Sequence, residues 1–241
     1  MTLSGKTILI TGAALRIGRS LALAVAQAGA DVVLHYGKSR KDAESLQVEI
    51  EAAGRKAFIL QADLADPVQV TGLISRAREY APLFALINNA SIFEPLGWED
   101  TSLEQWNLAM MVNLTAPFLL SQAFARPLEP DGQGRIVNLI DWRALRPGPD
   151  HLPYTISNSA LAALTHSLAI ALAPHITVNA LALGAILAPD NGAPPKINLE
   201  QIPAHRWANL DEVGQALVFL LDGPAYITGE IMHVDGGRHL V

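Results

Sequence analysis

Short runs of apolar and β-branched residues alternate along the chain with longer amphipathic or alanine-rich stretches. Short apolar runs are typical of buried strands, and longer stretches with helical periodicity are typical of helices. The first half therefore predicts strands at KTILIT (6–11), DVVLHY (31–36), KAFILQ (56–61) and LFALINNA (83–90). Between these strands it predicts helices over 15–29, 40–54 and 67–80.

The second half repeats this rhythm. It predicts strands at GRIVNLI (134–140), ITVNAL (176–181) and EIMHV (230–234), with helices near 102–125, 152–173 and 211–221. Such alternation predicts an α/β fold with a doubly wound parallel sheet and helices on both faces, in three αβα layers. The reason is that right-handed crossovers return each strand in the same direction. No linker or repeat interrupts the pattern, so we expect residues 1–241 to form one domain.

A proline-rich stretch over 184–206 breaks the periodicity. It contains Pro189, Pro194, Pro195 and Pro203, and the rhythm resumes immediately after it. Because it follows the carboxyl end of a predicted strand, it is either a lid over a binding site or a disordered surface insertion.

Composition narrows the class of protein. With 50% apolar residues among 241, the chain can bury a sizeable core. Its formal charge of −6 opposes nucleic-acid or anionic-membrane binding over the surface as a whole. There is no cysteine, no metal-binding histidine spacing, no export signal and no membrane span, which fits a cytoplasmic protein.

The first strand leads directly into TGAALRIG, residues 11–18. Gly12 permits a tight turn, the small Ala13 and Ala14 let the backbone approach a pyrophosphate, and Gly18 permits close packing of the following helix. A glycine-poor turn is a weak signal alone, and the alternative is an ordinary tight turn. Its position between the first strand and the first helix of a βαβ unit favours a dinucleotide site.

Several further motifs carry a family resemblance. They are the TG and later Gly of residues 11–18, NNA at 88–90, Asn113 in VNL, Tyr154, and ITG and VDGG between 227 and 237. Together they resemble the short-chain dehydrogenase/reductase family over nearly the whole chain. Arg16 in place of a frequent glycine, NNAS in place of NNAG, and Asp141 in place of serine resemble the pteridine reductase group. The resemblance implies a single Rossmann-type domain and a homotetramer formed through the long helices near 102–125 and 152–173.

The resemblance also implies a set of cofactor-binding residues at the ends of the strands. Asp63 would contact adenine, Asn88 to Ala90 would line the ribose and nicotinamide side, and Ser91 would lie nearby. The full expected set is Gly12, Ala14, Arg16, Ile17, Gly18, His35, Tyr36, Lys38, Ser39, Asp63, Leu64, Asn89, Ala90, Ser91 and Gly184. Gly184 follows leucine where the family usually has proline, so the nicotinamide pocket departs from the family pattern.

The end of the second strand indicates which dinucleotide binds. An NAD site usually places an acid there to accept hydrogen bonds from the ribose, whereas LHYGKSR contains none. His35, Lys38, Ser39 and Arg16 are instead expected to surround a 2′-phosphate, which favours NADP(H). The alternative for Arg40 and Lys41 is a solvated first turn of the next helix.

Tyr154 and Asn158 occupy the reacting centre implied by the resemblance. The family places a lysine four residues after its tyrosine, where the ammonium lowers the pKa of the phenol and hydrogen-bonds the ribose. Asn158 keeps the helical spacing and is expected to donate a hydrogen bond to the ribose, but it carries no charge. The chain is therefore a slow reductase, a reductase in which Arg16, Arg143 or Lys196 replaces the lysine, or a protein that binds the dinucleotide without turnover.

Other residues are expected to assist Tyr154. The resemblance implies that Asp141 cooperates in delivering protons to a pterin, and the alternative is a turn-forming aspartate. It implies that Asn113 holds a relay water, the alternative being a buried polar residue satisfied by the backbone. Phe93 would stack on a pterin, or simply fill the core, and Trp142 and Arg143 would line the substrate pocket or cap a loop.

The sequence thus predicts a cytoplasmic NADPH-dependent reductase of a pterin or small carbonyl compound. The rival interpretation is a catalytically silent NADP(H)-binding sensor or scaffold.

Overall fold

The computed structural model describes residues 3–126, 132–187 and 198–241. Within these residues, seven parallel strands form one sheet. They are β1 (Thr7–Ile10), β2 (Asp31–Tyr36), β3 (Ala57–Gln61), β4 (Ala85–Asn88), β5 (Gly134–Asp141), β6 (Ile176–Leu183) and β7 (Ile231–Val234). Every strand predicted from the sequence is present, which confirms the α/β fold class.

The principal helices lie close to their predicted positions. They are α1 (Arg16–Gln27), α2 (Arg40–Ala52), α3 (Pro67–Arg78), α4 (Leu103–Met110), α5 (Ala116–Ala125), α6 (Leu152–Leu172) and α7 (Leu210–Asp222). The expected single helix near 102–125 is corrected in one respect. A π-helical segment, Met111–Thr115, separates α4 from α5 and widens the turn around Asn113.

The strand order places a crevice at the centre of the sheet. The order is β3-β2-β1-β4-β5-β6-β7, so the chain leaves β1 first towards one edge and later, through β4, towards the other. In open α/β sheets, ligands bind at the carboxyl ends of the strands where the order reverses. Residues that follow β1 and β4 therefore meet at the position where this fold class binds nucleotides.

Helices cover both faces of the sheet and form the expected three layers. On one face, α1, α2 and α7 bury side chains such as Leu21, Leu46 and Leu217 against the strands. On the other, α3, α5 and α6 bury residues that include Leu73 and Phe124. Because both faces are covered, β1 and β4 are buried along their whole length, as is usual for a parallel sheet.

Two continuous helical stretches in the described part, Leu103–Ala125 and Leu152–Leu172, are long and apolar enough to cross a membrane by composition alone. Of their most apolar windows, 44% and 39% respectively are buried inside the protein. Core helices of soluble proteins pass the same test, and both stretches pack on this sheet.

The first turn of α1 packs unusually close to the turn that follows β1. A Cβ at Gly18 would lie 2.1 Å from the carbonyl oxygen of Gly12 and 2.7 Å from Nδ2 of Asn89. Only glycine fits there without moving the helix.

We expect Gly18→Ala to lower the free energy of unfolding by about 1–3 kcal/mol, because the added methyl group overpacks this contact. Gly72→Ala in α3 is the matched control, since a Cβ there meets nothing within 4 Å. That change should stabilise the protein by about 0.5–1 kcal/mol through helix propensity. Denaturant unfolding of both variants tests the prediction, and an undiminished stability of Gly18→Ala would contradict it.

Candidate functional site

The turn after β1 is fixed by its contacts with the end of β4. Gly12 has a φ of +62°, and a Cβ there would lie 3.0 Å from the Cα of Ala90. The hydroxyl oxygen of Thr11 accepts hydrogen bonds from the backbone N–H groups of Asn89 (2.9 Å) and Ala90 (3.0 Å). The Asn89 side chain donates in return to the carbonyl oxygens of Thr11 and Gly12. The two loops therefore form one rigid unit at the crevice.

The N-terminus of α1 opens beside this unit. Its N-cap residue, Leu15, makes no side-chain capping bond, and its first turn contains no acid. Uncapped N–H groups and the helix dipole favour an anion such as a pyrophosphate. Ala14 is buried, Ile17 is half-buried, and Arg16 is exposed with a φ of +52°. This backbone conformation suits the glycine that many relatives were expected to have at position 16.

The end of β2 offers two of the four groups expected around a 2′-phosphate. Lys38 is exposed and Ser39 is half-buried, while the Tyr36 side chain is buried beneath them. Arg40 pairs with Glu44 along α2 at 2.8 Å, as expected for a solvated first turn. Between the end of β2 and Asp42 the sequence contains no carboxylate that would repel a phosphate.

The prediction that His35 lies beside the 2′-phosphate is corrected. Its ring is 2% exposed, and both of its nitrogens face backbone groups. The Gly12 N–H donates to Nδ1 at 3.1 Å, and Nε2 lies 3.1 Å from the Ala62 carbonyl oxygen. Burial lowers the pKa of His35 from 6.5 to about 4, so the ring is neutral at physiological pH and supplies no charge to a phosphate.

The ends of β3 and β4 separate residues that face the crevice from residues that face the core. Asp63 is exposed beyond β3, and Leu64 beneath it is buried. Asn89 and Ala90 line the crevice, whereas the expected role of Asn88 is corrected. Its side chain is 3% exposed and donates to Asn138 in β5 at 2.8 Å.

Ser91 and Gly184 complete the expected cofactor set at this edge. Ser91 is exposed after β4. Gly184 follows β6, and a Cβ there would lie 2.6 Å from the Cβ of Asp235. The close approach of the Asp235 segment explains why position 184 requires glycine, although leucine precedes it.

Asn113 positions the loop that carries Phe93. From the π-helical segment, its Oδ1 accepts from Ile92 N at 2.8 Å, and its Nδ2 donates to Ile92 O and to the Ser157 hydroxyl. Both amide hydrogens are used and the residue is 2% exposed. The side chain is thus a buried polar residue, as in the alternative drawn from the sequence, with the Ser157 hydroxyl as a partner beside the Ile92 backbone.

Tyr154 and Asp141 form the chemical centre. The Tyr154 hydroxyl points at Oδ2 of Asp141 over 3.4 Å, long for an O–H···O bond. Burial raises the pKa of Asp141, partly opposed by the Arg143 backbone hydrogen bond and charge. Burial and the neighbouring carboxylate together raise the pKa of Tyr154 well above 10. Both groups are therefore biased towards their protonated forms.

Arg143 is a cation at this centre. Its guanidinium lies 3.5 Å from Asp141 and 3.5 Å from Asp150, and its charge lowers the pKa of Tyr154. Since burial outweighs that effect, Arg143 reproduces only part of what a lysine at position 158 would do. Lys196, another candidate replacement, lies outside the described residues.

Phe93 covers one side of the phenol. Its ring meets Tyr154 edge-on at 4.6 Å between centroids, and it stacks on His151 at 4.1 Å. His151 has a φ of +53° and contacts Asp150 at 3.0 Å. Phe93 is 53% exposed, so it is not the core plug that the sequence left as an alternative.

The expected ribose contact of Asn158 is corrected. Oδ1 of Asn158 accepts from the Asp141 N–H at 3.1 Å, and Nδ2 donates to the Tyr154 carbonyl at 3.0 Å. At 3% exposure, the side chain links α6 to the end of β5 instead of facing a ligand. It therefore holds the Tyr154 and Asp141 backbones in register.

Trp142 lies between two arginines beside Asp141. The Arg238 guanidinium is 4.1 Å from the indole ring and that of Arg143 is 5.5 Å away. The indole Nε1 is buried without a hydrogen-bond partner. Arg238 comes from the short helix Arg238–Leu240 at the end of the chain, and sequence reasoning gave no signal for it.

Two depressions differ in their relation to this centre. A small cavity is lined by Tyr154, Ile92, Glu94 and Gln105. A larger groove of about 340 Å³, lined by Phe118, Leu168 and Leu172 among others, lies on the outer side of α5 and α6. Tyr154 is in the first turn of α6 and the groove is near its far end, so the groove lies away from Tyr154. The small cavity, of about 10 Å³, has room for no more than a water molecule. Of the proposed lid over 184–206, residues 188–197 lie outside the described part.

Comparison with known proteins matches this chain to oxidoreductases over nearly its whole length. A family model described as Enoyl-(Acyl carrier protein) reductase matches residues 12–239. Gluconate 5-dehydrogenase of Gluconobacter oxydans is 33% identical over 98% of this chain and 95% of its own length.

Two solved structures superpose on nearly the whole molecule. A short chain dehydrogenase from Burkholderia cenocepacia in complex with NADP is 35% identical with a TM-score of 0.92, covering 99% of each chain. FolM Alternative dihydrofolate reductase 1 from Brucella canis, complexed with NADP, is 32% identical with a TM-score of 0.92, covering 100% of this chain and 97% of the other.

The raised pKa of Asp141 predicts how the stability of the protein depends on pH. An acid whose pKa is raised by folding stabilises the folded state below its unfolded pKa, and that contribution is lost as the pH rises through the folded pKa. We therefore expect wild type to lose stability relative to Asp141→Asn as the pH rises from about 4 towards 7.

Asp66→Asn is the control of opposite sign. The Gln69 side chain lowers the pKa of Asp66, so wild type should gain stability relative to this variant as pH rises through the acidic range. Denaturant unfolding across pH measures both differences. A stability difference between wild type and Asp141→Asn that stays constant with pH would contradict the prediction.

Proposed function

This chain belongs to the short-chain dehydrogenase/reductase family, and on that premise we propose that it is an NADPH-dependent reductase that acts best on a dihydropterin. The observation that carries the proposal is the partly buried Tyr154 hydroxyl directed at the partly buried Asp141 carboxyl group. Relatives in this family are oxidoreductases, and solved relatives contain NADP.

The cofactor fits the residues present. The left-handed turn at Gly12, the missing Cβ at Gly18 and the uncapped N-terminus of α1 suit a pyrophosphate. Lys38, Ser39 and Arg16 would hold the 2′-phosphate, and Asp63 and Leu64 the adenine. Asn89, Ala90, Ser91 and Gly184 would line the remaining length. When bound, NADPH supplies the hydride.

The protein's own part in the reaction is proton delivery. Tyr154 donates its hydroxyl proton to the nitrogen of a C=N group, or the oxygen of a C=O group, as the neighbouring carbon is reduced. Asp141, whose pKa is raised by burial, returns a proton to the phenolate. Arg143 stabilises the charge that remains on the carboxylate.

The direction of the reaction follows from the same electrostatics. Oxidation of an alcohol needs Tyr154 as a phenolate base, and a pKa well above 10 leaves almost none at neutral pH. Reduction needs the protonated phenol, which the site favours. The site is thus suited to reduction, at a modest rate because the phenol is a weak acid.

The choice of a dihydropterin as substrate is based on the aromatic residues beside Tyr154. Phe93 stacks on His151 and meets Tyr154 edge-on, and its ring is still 53% exposed. An exposed aromatic ring beside Tyr154 suits a planar heteroaromatic substrate. Trp142 and Arg143 would bound the other side. The similarity to a FolM alternative dihydrofolate reductase supports a pterin over a small carbonyl compound.

A second function, a silent NADP(H)-binding sensor or scaffold, is favoured by two observations. Asn158 supplies no charge and Tyr154 has a raised pKa, so binding without turnover is consistent with this geometry. We also propose one domain, a cytoplasmic location and a homotetramer. Exposed apolar side chains on α5 and α6, such as Phe118 and Ile170, support the last of these.

The test is NADPH oxidation with 7,8-dihydropterin and dihydrofolate as substrates. We expect wild type to turn over and Tyr154→Phe to lose at least about 100-fold in kcat, the usual range for removing a general acid. Fluorescence titration of NADPH should give the same Kd for both proteins. Tight NADPH binding with no turnover of pterins, quinones or ketoacyl thioesters would favour the sensor.

Restoring the missing charge provides a separate prediction. Asn158→Lys should raise kcat about tenfold, because an ammonium lowers the pKa of Tyr154. Asn158→Met is the matched control, since it has similar length without charge and loses the same hydrogen bonds. An equal rate in both variants would show that the missing charge does not limit the reaction.

A further inference from the structure

His35 lies at the centre of the cofactor site without facing the cofactor. It is the penultimate residue of β2, and β2 lies between β1 and β3 in the sheet. The turn after β1 and the loop after β3 are both within reach of its ring. The ring is 2% exposed, so it acts on a ligand only through these two segments.

The two hydrogen bonds fix the tautomer of the ring. The Gly12 backbone N–H can only donate, so Nδ1 of His35 is the acceptor at 3.1 Å. Nε2 therefore carries the proton and donates to the carbonyl oxygen of Ala62 at 3.1 Å. A doubly protonated ring would oppose an N–H to the Gly12 N–H, which agrees with a neutral buried imidazole.

The partners belong to different halves of the cofactor site. Gly12 lies in the turn before α1, where the pyrophosphate would bind. Ala62 directly precedes Asp63 and Leu64, which would hold the adenine. Backbone bonds join β2 to each segment separately, from Ala13 N to His35 O (2.9 Å) and from Ala62 N to Tyr36 O (3.2 Å).

We propose that His35 is a positioning residue that couples the pyrophosphate turn to the adenine loop. The imidazole holds both segments at a fixed separation, so that an adenine nucleotide bound by one loop presents its phosphates to the other in register. The inference rests on NADP(H) binding as proposed above, and it concerns binding alone.

Three substitutions divide the coupling into its two bonds. His35→Asn keeps an acceptor at the Nδ1 position for Gly12 and loses the donor to Ala62. His35→Gln keeps a donor near the Nε2 position for Ala62 and loses the acceptor for Gly12. His35→Phe fills the same space and loses both bonds.

Two probes report on the two halves. NADPH spans the whole site, whereas adenosine 2′-monophosphate, which has no 5′-phosphate, occupies the adenine and 2′-phosphate half. Kd for each is measured calorimetrically, well below the thermal midpoint of each variant. Thr165→Val is the control for lost stability, because Thr165 is fully buried and hydrogen-bonds Asn138 within the core.

We expect His35→Gln to raise the Kd of NADPH about tenfold or more, a loss of about 1.4 kcal/mol, and to change that of adenosine 2′-monophosphate less than about threefold. His35→Asn should raise both constants by a similar factor, and His35→Phe should show both effects. Thr165→Val should lower the thermal midpoint and leave both constants unchanged.

Variants of His35 that lower only the thermal midpoint, as Thr165→Val does, would overturn the proposal. So would an equal change of both constants in His35→Gln. Wild-type protein that binds NADPH but lacks turnover would count against the reductase alone, whereas wild type that binds neither probe would overturn both proposals.

Discussion

The parallel sheet brings every strand's carboxyl end to the same edge, and the proposed chemistry depends on this constraint. The Gly12 turn, the Asn89 loop, Asp141 and Gly184 are far apart in sequence and meet because β1, β4, β5 and β6 run in one direction. Close backbone approaches at Gly12, Gly18 and Gly184 hold this edge together. A ligand there contacts loops whose positions are set by the sheet beneath them.

Burial decides the electrostatics at that edge. A lysine beside a phenol favours the phenolate, whereas here the phenol is buried beside a carboxyl group and its pKa rises. Asn158 uses its amide to align the backbones of Tyr154 and Asp141. Tyr154 thus lacks the lysine charge that would lower its pKa. Instead, Asn158 holds the backbones of Tyr154 and Asp141 in place, and the Asp141 carboxyl group would supply a second proton beside the phenol. The Arg143 guanidinium, 3.5 Å from Asp141, compensates the negative charge of that carboxylate when it is ionised.

Hydrophobic periodicity predicted the strands and the fold class. The neighbourhood of Tyr154 and Asp141 was predicted only from the resemblance to the short-chain dehydrogenase/reductase family. The predictions were wrong where they depended on the direction of a single side chain. Adjacent strand residues face opposite sides, so Asn88 turns into the core and Asn89 into the crevice, and composition cannot distinguish them. The prediction that His35 contacts the 2′-phosphate was wrong for a related reason. A polar residue in an apolar strand can either contact a ligand or link two buried segments, and the sequence does not distinguish the two. Arg238 reaches Trp142 only through the folded end of the chain.

The π-helical segment around Asn113 couples the length of its helix to the loop after β4. Such a segment contains one residue more than the α-helical turn it replaces, and here the widened turn directs the Asn113 amide at the Ile92 backbone. Deleting a single residue from this helix would restore regular α-helix and rotate every preceding side chain by about 100° relative to α5. The residue count of this helix therefore sets the position of the Asn113 contact with Ile92, and through it the position of the loop that carries Phe93.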